Sequence, residues 1–354
     1  MNAFRPHVTP LHSRRGFTLI ELLVVILIIG LLAALVSTAV FKALTTSKQA
    51  VLKVEIGEMD RALKDYANNN GGAYPPSFAS YSPAVTAEAR VWQHIQRRFP
   101  RYTPANTSGA TPYENFRLDV RDQSVNCGFA ANALDTRNLD QAEALVFWLG
   151  GLPCPNTERR MVGFSKDPSQ PFIGFNPANN AGQPQRTDPF PFDSTRLVDR
   201  DGDNWLEYIP KGTSPTGDMP PFVYFDAQSY TSHTYVSGTD LPMAPYPFSS
   251  GGVTRGPTSN IAAWGQCWPM WRVAPTPSSS PTVAPQWVNS DSFQIICAGL
   301  DGAYSTIGDE STTNPETYPT LLTYPSGTSD TGALTDNITS FAESILKEDR
   351  EKQR

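Results

Sequence analysis

The chain has 354 residues, 18% of them charged, and a formal net charge of −6. An acidic chain of this kind gives no electrostatic reason to expect nucleic-acid binding, and the length allows one or two domains. Glycine (25) and proline (32) are plentiful, which predicts a loop-rich body with short strands and excludes a plain helical bundle.

Residues 1–16 form a short basic leader containing Arg5, Arg14, Arg15 and two histidines. An apolar run follows from Phe17 to Phe41, and between Leu22 and Val36 no side chain is charged or hydrogen-bonding. As a helix at ~1.5 Å per residue this run reaches roughly 37 Å, enough to cross a bilayer core. A basic end before an apolar run predicts a cytoplasmic N-terminus and an exported remainder. A secretory signal peptide would instead have a shorter apolar core and a small-residue cleavage site after it. Glu21 is the one acid inside the run. An ionised carboxylate there costs on the order of 2.5–3.5 kcal/mol on insertion scales, so Glu21 requires a partner.

The order Arg15-Gly16-Phe17-Thr18-Leu19-Ile20-Glu21-Leu22-Leu23 resembles the prepilin signature of type IV pilins and type II secretion pseudopilins. The resemblance implies that a prepilin peptidase cuts between Gly16 and Phe17 and that Phe17 becomes N-methylated. Glu21 would then be the fifth mature residue and would meet the N-terminal amine of a neighbouring subunit. Two opposite charges attract strongly in a low-dielectric layer, where each alone is expensive. The resemblance also implies an α+β, type IV pilin-like fold. A long N-terminal helix has an apolar transmembrane half and an amphipathic half packed on the head. The head carries an antiparallel sheet, long loops and a short C-terminal helix. The expected divisions are a cleaved leader (1–16), the membrane and filament-core half of the helix (17–41), its amphipathic half (42–70) and a periplasmic head (71–354).

Leu52, Ile56, Met59, Leu63 and Tyr66 recur at spacings of four and three, one apolar stripe on a helix. Asn68 to Gly72 stops that helix, and Tyr74-Pro75-Pro76 begins an extended segment. This junction resembles that of major pseudopilins. A second helix is expected over Ala87–Phe99. Ala142–Trp148 is either a helix or a buried strand. Residues 162–191 read as loop. Trp205–Ile209, Phe222–Phe225 and Phe293–Ala298 are β-prone, and Gly299-Leu300-Asp301-Gly302 is a turn. Ala274–Pro285 is an exposed loop. Ser340 and Glu343 suggest a capping box for a C-terminal helix with Ile338, Phe341, Ala342, Ile345 and Leu346 on one face, leaving Lys347–Arg354 to fray.

Two acidic groups are candidate calcium sites. Gly299-Leu300-Asp301-Gly302 with Asp336-Asn337-Ile338 resembles the C-terminal pattern of major pseudopilins, which encloses a calcium ion. On that resemblance Asp301 and Asp336 are ligands. Asn337 departs from the family's second Asp, and the intervening loop, with Asp309 and Glu310, is longer than usual. The second group, Asp199, Asp201 and Asp203 around Gly202, has the alternating carboxylates of a calcium loop. Its glycine stands at the fourth position instead of the sixth, so a turn between strands is the competing reading. Cys127, Cys154, Cys267 and Cys297 contain no C-x-x-C pair. In an exported head they form two disulfides or remain buried thiols. His94 is expected on a polar helix face and His233 in a loop. Trp264, Trp268, Trp271 and Trp287 form either a core patch or a sugar-stacking face. No nucleophile elbow, His-Glu-x-x-His or phosphate loop is present.

The sequence therefore points to a non-enzymatic, structural subunit of a type II secretion pseudopilus. Its expected partners are other pseudopilins, the inner-membrane assembly platform, the prepilin peptidase and lipid. Its expected place is the inner membrane, single-pass, with the head in the periplasm and then in a filament. A minor or surface type IV pilin is the alternative, and a ligand-binding or enzymatic head on a pilin anchor the third reading.

Overall fold

The computed structural model describes residues 17–78, 84–154, 160–175, 183–212, 218–231, 246–250, 253–257, 264–273, 286–304, 323–325 and 333–353. The leader, His233, Asp309, Glu310 and the loop 274–285 lie outside the described residues. The chain divides into two units, Met1–Ser47 and Lys48–Arg354.

Helix α1 runs from Leu19 to Asn69, with no proline to interrupt it. It ends at two left-handed glycines, Gly71 (φ 65°) and Gly72 (φ 78°). The Gly72 N–H donates to the Ala67 carbonyl at 2.8 Å, closing the last turn as a helix C-terminus requires. From Lys48 onward α1 belongs to the second unit and buries the expected stripe of Leu52, Ile56, Met59, Leu63 and Tyr66, together with Ala67. Two charged residues flank the stripe. Lys53 Nζ donates to the carbonyls of Thr339 (2.8 Å) and Ala342, and Glu55 pairs with Arg196 at 2.8 Å.

Helix α2 spans Ala84–Arg98 and α3 spans Pro112–Asp122. The second of these was not expected. Its signal is Thr111, which caps the helix by accepting from the Glu114 N–H (3.2 Å), with Pro112 in the first turn. Helix α4, Gln141–Gly150, settles the helix-or-strand ambiguity at Ala142–Trp148. Asp140 and Glu143 form a reciprocal capping box, which fixes the helical start. α4 is buried nearly all round, so its sequence carries no amphipathic period.

The strands are short. β1 (Pro153–Cys154) pairs with β2 (Arg160–Met161), and β3 (Leu197–Val198) with β4 (Glu207–Tyr208). β5 (Val223–Asp226) leads into a brief helix, α5 (Ala227–Thr231). β6 (Phe248–Ser250) pairs with β7 (Val253–Arg255), and β8 (Trp271–Val273) with β9 (Gln286–Trp287). The main sheet has three antiparallel strands in the order β11 (Ile338–Thr339), β10 (Phe293–Cys297), β5. Ile295 sits opposite Tyr224, and Ile296 opposite both Val223 and Thr339. α4 packs on β4 and β5, and the core between them includes Leu145, Phe147, Trp148, Trp205, Phe222 and Tyr224. The architecture is α+β: a long N-terminal helix, antiparallel sheets and a short C-terminal helix.

That last helix differs from expectation in position. Helix α6 spans Leu346–Gln353, so the charged tail is the helix. Ile338 belongs to β11, and Ser340 bonds to β10 through Ile295 instead of capping a helix. The charged tail orders because Arg350 donates to the Thr323 carbonyl and Asp349 accepts from the Tyr324 hydroxyl, burying both charged residues.

His94 also departs from expectation. It is buried, not on a polar face, and its Nε2 lies 2.7 Å from the Tyr66 hydroxyl, joining α2 to α1. Trp148 packs edge-on against its ring. Burial, then the positive charges of Arg98 and Arg97, push its pKa down to about 3. The unfolded imidazole titrates near ~6.5, so between that pH and about 3 the unfolded chain holds a proton the folded chain refuses. Stability is therefore complete above the upper limit and falls as pH drops through the window. His94→Gln should shrink the loss of denaturation free energy between pH 7 and pH 4 by up to about 3 kcal/mol. Urea titrations of both proteins at the two pH values measure it, and parallel losses would show that His94 does not carry it.

Candidate functional site

The first unit presents an unusual surface. Phe17 (81% exposed), Ile20, Leu27 (67%), Leu31, Leu35 and Phe41 all lie open, as do the apolar residues between them. The helix is long and apolar enough to cross a membrane. Near its start, Glu21 Oε2 accepts from the Thr18 N–H and the Thr18 hydroxyl, each at 2.9 Å, and the Glu21 N–H donates to Thr18 Oγ1 at 3.2 Å. That reciprocal arrangement is a capping box, so Thr18 gives the acid a neutral hydrogen-bond partner within its own chain. It supplies no positive charge.

Residues 11–37 match the family model of the prokaryotic N-terminal methylation motif. No curated protein and no solved structure matches the chain. The methylation motif opens type IV pilin-like proteins, a structural class whose members assemble with one another and are processed by a prepilin peptidase. The match ends within α1, so it bears on the apolar half and not on the head.

In the head, the structure brings Asp301 and Asp336 together. Asp336 Oδ2 accepts from the N–H groups of Leu300 (2.8 Å) and Asp301 (3.1 Å). Burial, then the neighbouring Asp336, push the Asp301 carboxyl up to about 7. Gly299 (φ 70°) is obligatory here, because a Cβ on it would lie 2.4 Å from the Asp336 carbonyl oxygen. Asn337 Nδ2 donates to the Tyr304 carbonyl at 3.0 Å. The Oδ1 atoms of Asp336 and Asn337 are buried without a hydrogen-bond partner. Two carboxylates meet at this turn among the described residues.

The second acidic group is larger than the sequence suggested. Asp199, Asp201 and Asp203 each bring one carboxylate oxygen within 4.8 Å of the others, and Asp201 stands equally close to Asp140 and Glu143. Asp140 lies two residues before the apolar run Ala142–Trp148 and Glu143 is its second residue, so neither stands in an acidic motif. Their Asp-x-x-Glu capping pattern was the available signal. Burial, then the charge of Glu207, raise Asp140 well above the carboxylate range; burial, then Asp140, do the same to Glu143; burial, then Asp201, push Asp203 up to about 8. Glu207, whose Oε1 accepts from the Tyr246 hydroxyl, is also driven to about 8, mainly by burial.

The four cysteines, Cys127, Cys154, Cys267 and Cys297, are buried and free. Burial pushes Cys127 up to about 11 and Cys297 to about 12, so neither is a ready nucleophile. Among the tryptophans, Trp264 is buried beneath the Arg200 guanidinium (4.6 Å), and Trp271 stacks on Trp287 across β8 and β9. These contacts make a packed patch, not an open stacking face. An open cleft of about 670 Å³ is lined by Tyr102, Asn106, Asp119, Gln123 and Phe172. Its best-placed acid, Asp119, is engaged by the Tyr102 hydroxyl (2.9 Å) and by the N–H groups of Ala105 (2.8 Å) and Asn106 (2.7 Å).

The Asp336 clamp has a measurable weight. Asp336→Ala strands two N–H groups at the Gly299 turn and should cost about 2 kcal/mol, whereas Asp336→Asn keeps an acceptor and should cost less than half of that. Thermal melts of the two variants measure the difference, and equal losses would contradict the clamp.

Proposed function

We propose that this chain is a structural subunit of a type II secretion pseudopilus. A prepilin peptidase removes residues 1–16 by cutting after Gly16, and Phe17 is N-methylated. The mature chains assemble through the apolar half of α1, and Glu21 of each meets the Phe17 amine of a neighbour. The chain first sits in the inner membrane as a single-pass protein with its head in the periplasm, in contact with lipid and the assembly platform. It then enters an extracytoplasmic filament with other pseudopilins. The observation that carries this reading is one carboxylate, Glu21, in an otherwise apolar exposed helix that bears the methylation motif. Moving from lipid into a helical bundle, the acid exchanges a neutral Thr18 partner for a cation.

The secretion pseudopilus is favoured over a surface pilus by the Gly299 turn with Asp336 clamped onto it, the element that resembles major pseudopilins. The calcium ion implied by that resemblance would be held by Asp301 and Asp336. Asp336 Oδ1 and Asn337 Oδ1 fit such a role, as oxygens with no other partner. A minor or tip subunit of a type IV pilus is the second reading, favoured by the size of the second unit, Lys48–Arg354.

Two substitutions separate charge pairing from helix capping. Glu21→Val removes both, while Glu21→Gln keeps an acceptor for Thr18 and removes only the charge. Both variants should insert in the membrane at wild-type levels and be missing from sheared filament fractions. Normal filament yield from the glutamine variant would show that capping, not the charge, is what assembly needs.

A further inference from the structure

The acids around α4 and the β3–β4 connection carry an inference independent of filament assembly. Asp140 and Glu143 are almost entirely inaccessible, at 0% and 1% exposed. Each spends one oxygen on the capping box: Asp140 Oδ1 accepts from Ala142 N–H (2.8 Å) and Glu143 N–H (2.9 Å), and Glu143 Oε2 accepts from Asp140 N–H (3.1 Å). Their other oxygens, Asp140 Oδ2 and Glu143 Oε1, are buried with no hydrogen-bond partner, as is Asp203 Oδ2. Unpartnered buried carboxylate oxygens are costly and need a proton or a cation.

Among the described residues no cation meets that need, and none of Asp140, Glu143, Asp199, Asp201 and Asp203 forms an ion pair. Arg200, within the same connection, pairs instead with Glu207 (3.8 Å) and Asp218 (3.0 Å). The α4 N-terminus favours anions, but too weakly to hold two buried carboxylates ionised. The connection brings the remaining oxygens. Asp199 accepts from the N–H groups of Gly202 (2.8 Å) and Asn204 (3.1 Å), which curls the loop so that Asp201 faces both groups of acids. Gly256 passes close to this group: a Cβ there would stand 2.6 Å from the Tyr246 ring and 3.1 Å from Asp140 Oδ2.

We propose that Asp140, Glu143, Asp199, Asp201 and Asp203 form a calcium site, with Asp201 shared between its buried and its loop ligands. Oxygen-only donors select a hard cation over zinc or copper. The density of carboxylates suits calcium, which takes six to eight oxygens, better than magnesium, which keeps much of its water. Asp201 is the exposed member and gives the ion its way in. The ion ties the start of α4 to the β3–β4 connection, joining two segments that the short strands hold weakly.

The test uses the full chain in detergent, stripped with EDTA and titrated calorimetrically with Ca²⁺, with Mg²⁺ as the comparison. Calcium should bind and raise the melting temperature by about 4 °C at a concentration 100-fold above Kd, and magnesium should do neither. Asp201→Asn should weaken calcium binding at least about tenfold, a change of 1.4 kcal/mol. Glu143→Gln, which keeps the capping acceptor, should weaken it comparably and serves if the first variant does not fold. Asp336→Asn, which alters the ligand proposed at the separate Gly299 turn, should leave the binding that the Asp201 and Glu143 variants weaken in place. Absence of calcium binding, unchanged affinity in the Asp201 and Glu143 variants, or loss confined to Asp336→Asn would each overturn the site.

Discussion

The large apolar residues from Phe17 to Leu44 lie exposed, and the need to cover them dominates the protein. A large apolar side chain in water forgoes about 1.5–3 kcal/mol. Summed along this helix, the loss exceeds the whole ~5–15 kcal/mol that holds an ordinary domain together. The helix must therefore lie in lipid or against other apolar helices. In the proposed filament Glu21 makes the second environment selective: its own chain gives it only Thr18, and among like helices it would meet a neighbour's amine.

The second half of α1 answers to the opposite demand. It fits the head through one stripe, Leu52 to Tyr66, and locks its orientation at the edges with Lys53 on the Thr339 carbonyl and Glu55 on Arg196. Tyr66 extends the attachment through His94 to α2, so three helical segments share one buried corner with Trp148. One helix thus joins a surface built for association to a surface already satisfied.

Much of this was legible before any coordinates. The apolar run, the stripe, the helix stop at Gly71 and the strand at Phe293–Cys297 are all written in periods or in residue types with one conformational use. What escaped did so for identifiable reasons. Helix α4 is buried on every side, so apolarity carries no period there, and only its cap shows where it starts. Lys347–Arg354 looks solvent-bound by composition, yet Asp349 and Arg350 find partners in Tyr324 and Thr323, which no local pattern reveals. The acidic cluster was half visible. Asp199, Asp201 and Asp203 are neighbours in sequence, but Asp140 and Glu143 join them only through the packing of α4 on β4.

The decisive measurement is intact mass spectrometry of the chain recovered from its host's membranes. A mature chain that begins at Phe17 and carries one methyl group on its amine is the expected result. A chain that keeps residues 1–16, or is cut anywhere else, would contradict the assembly of this protein through Glu21 and a freed amine.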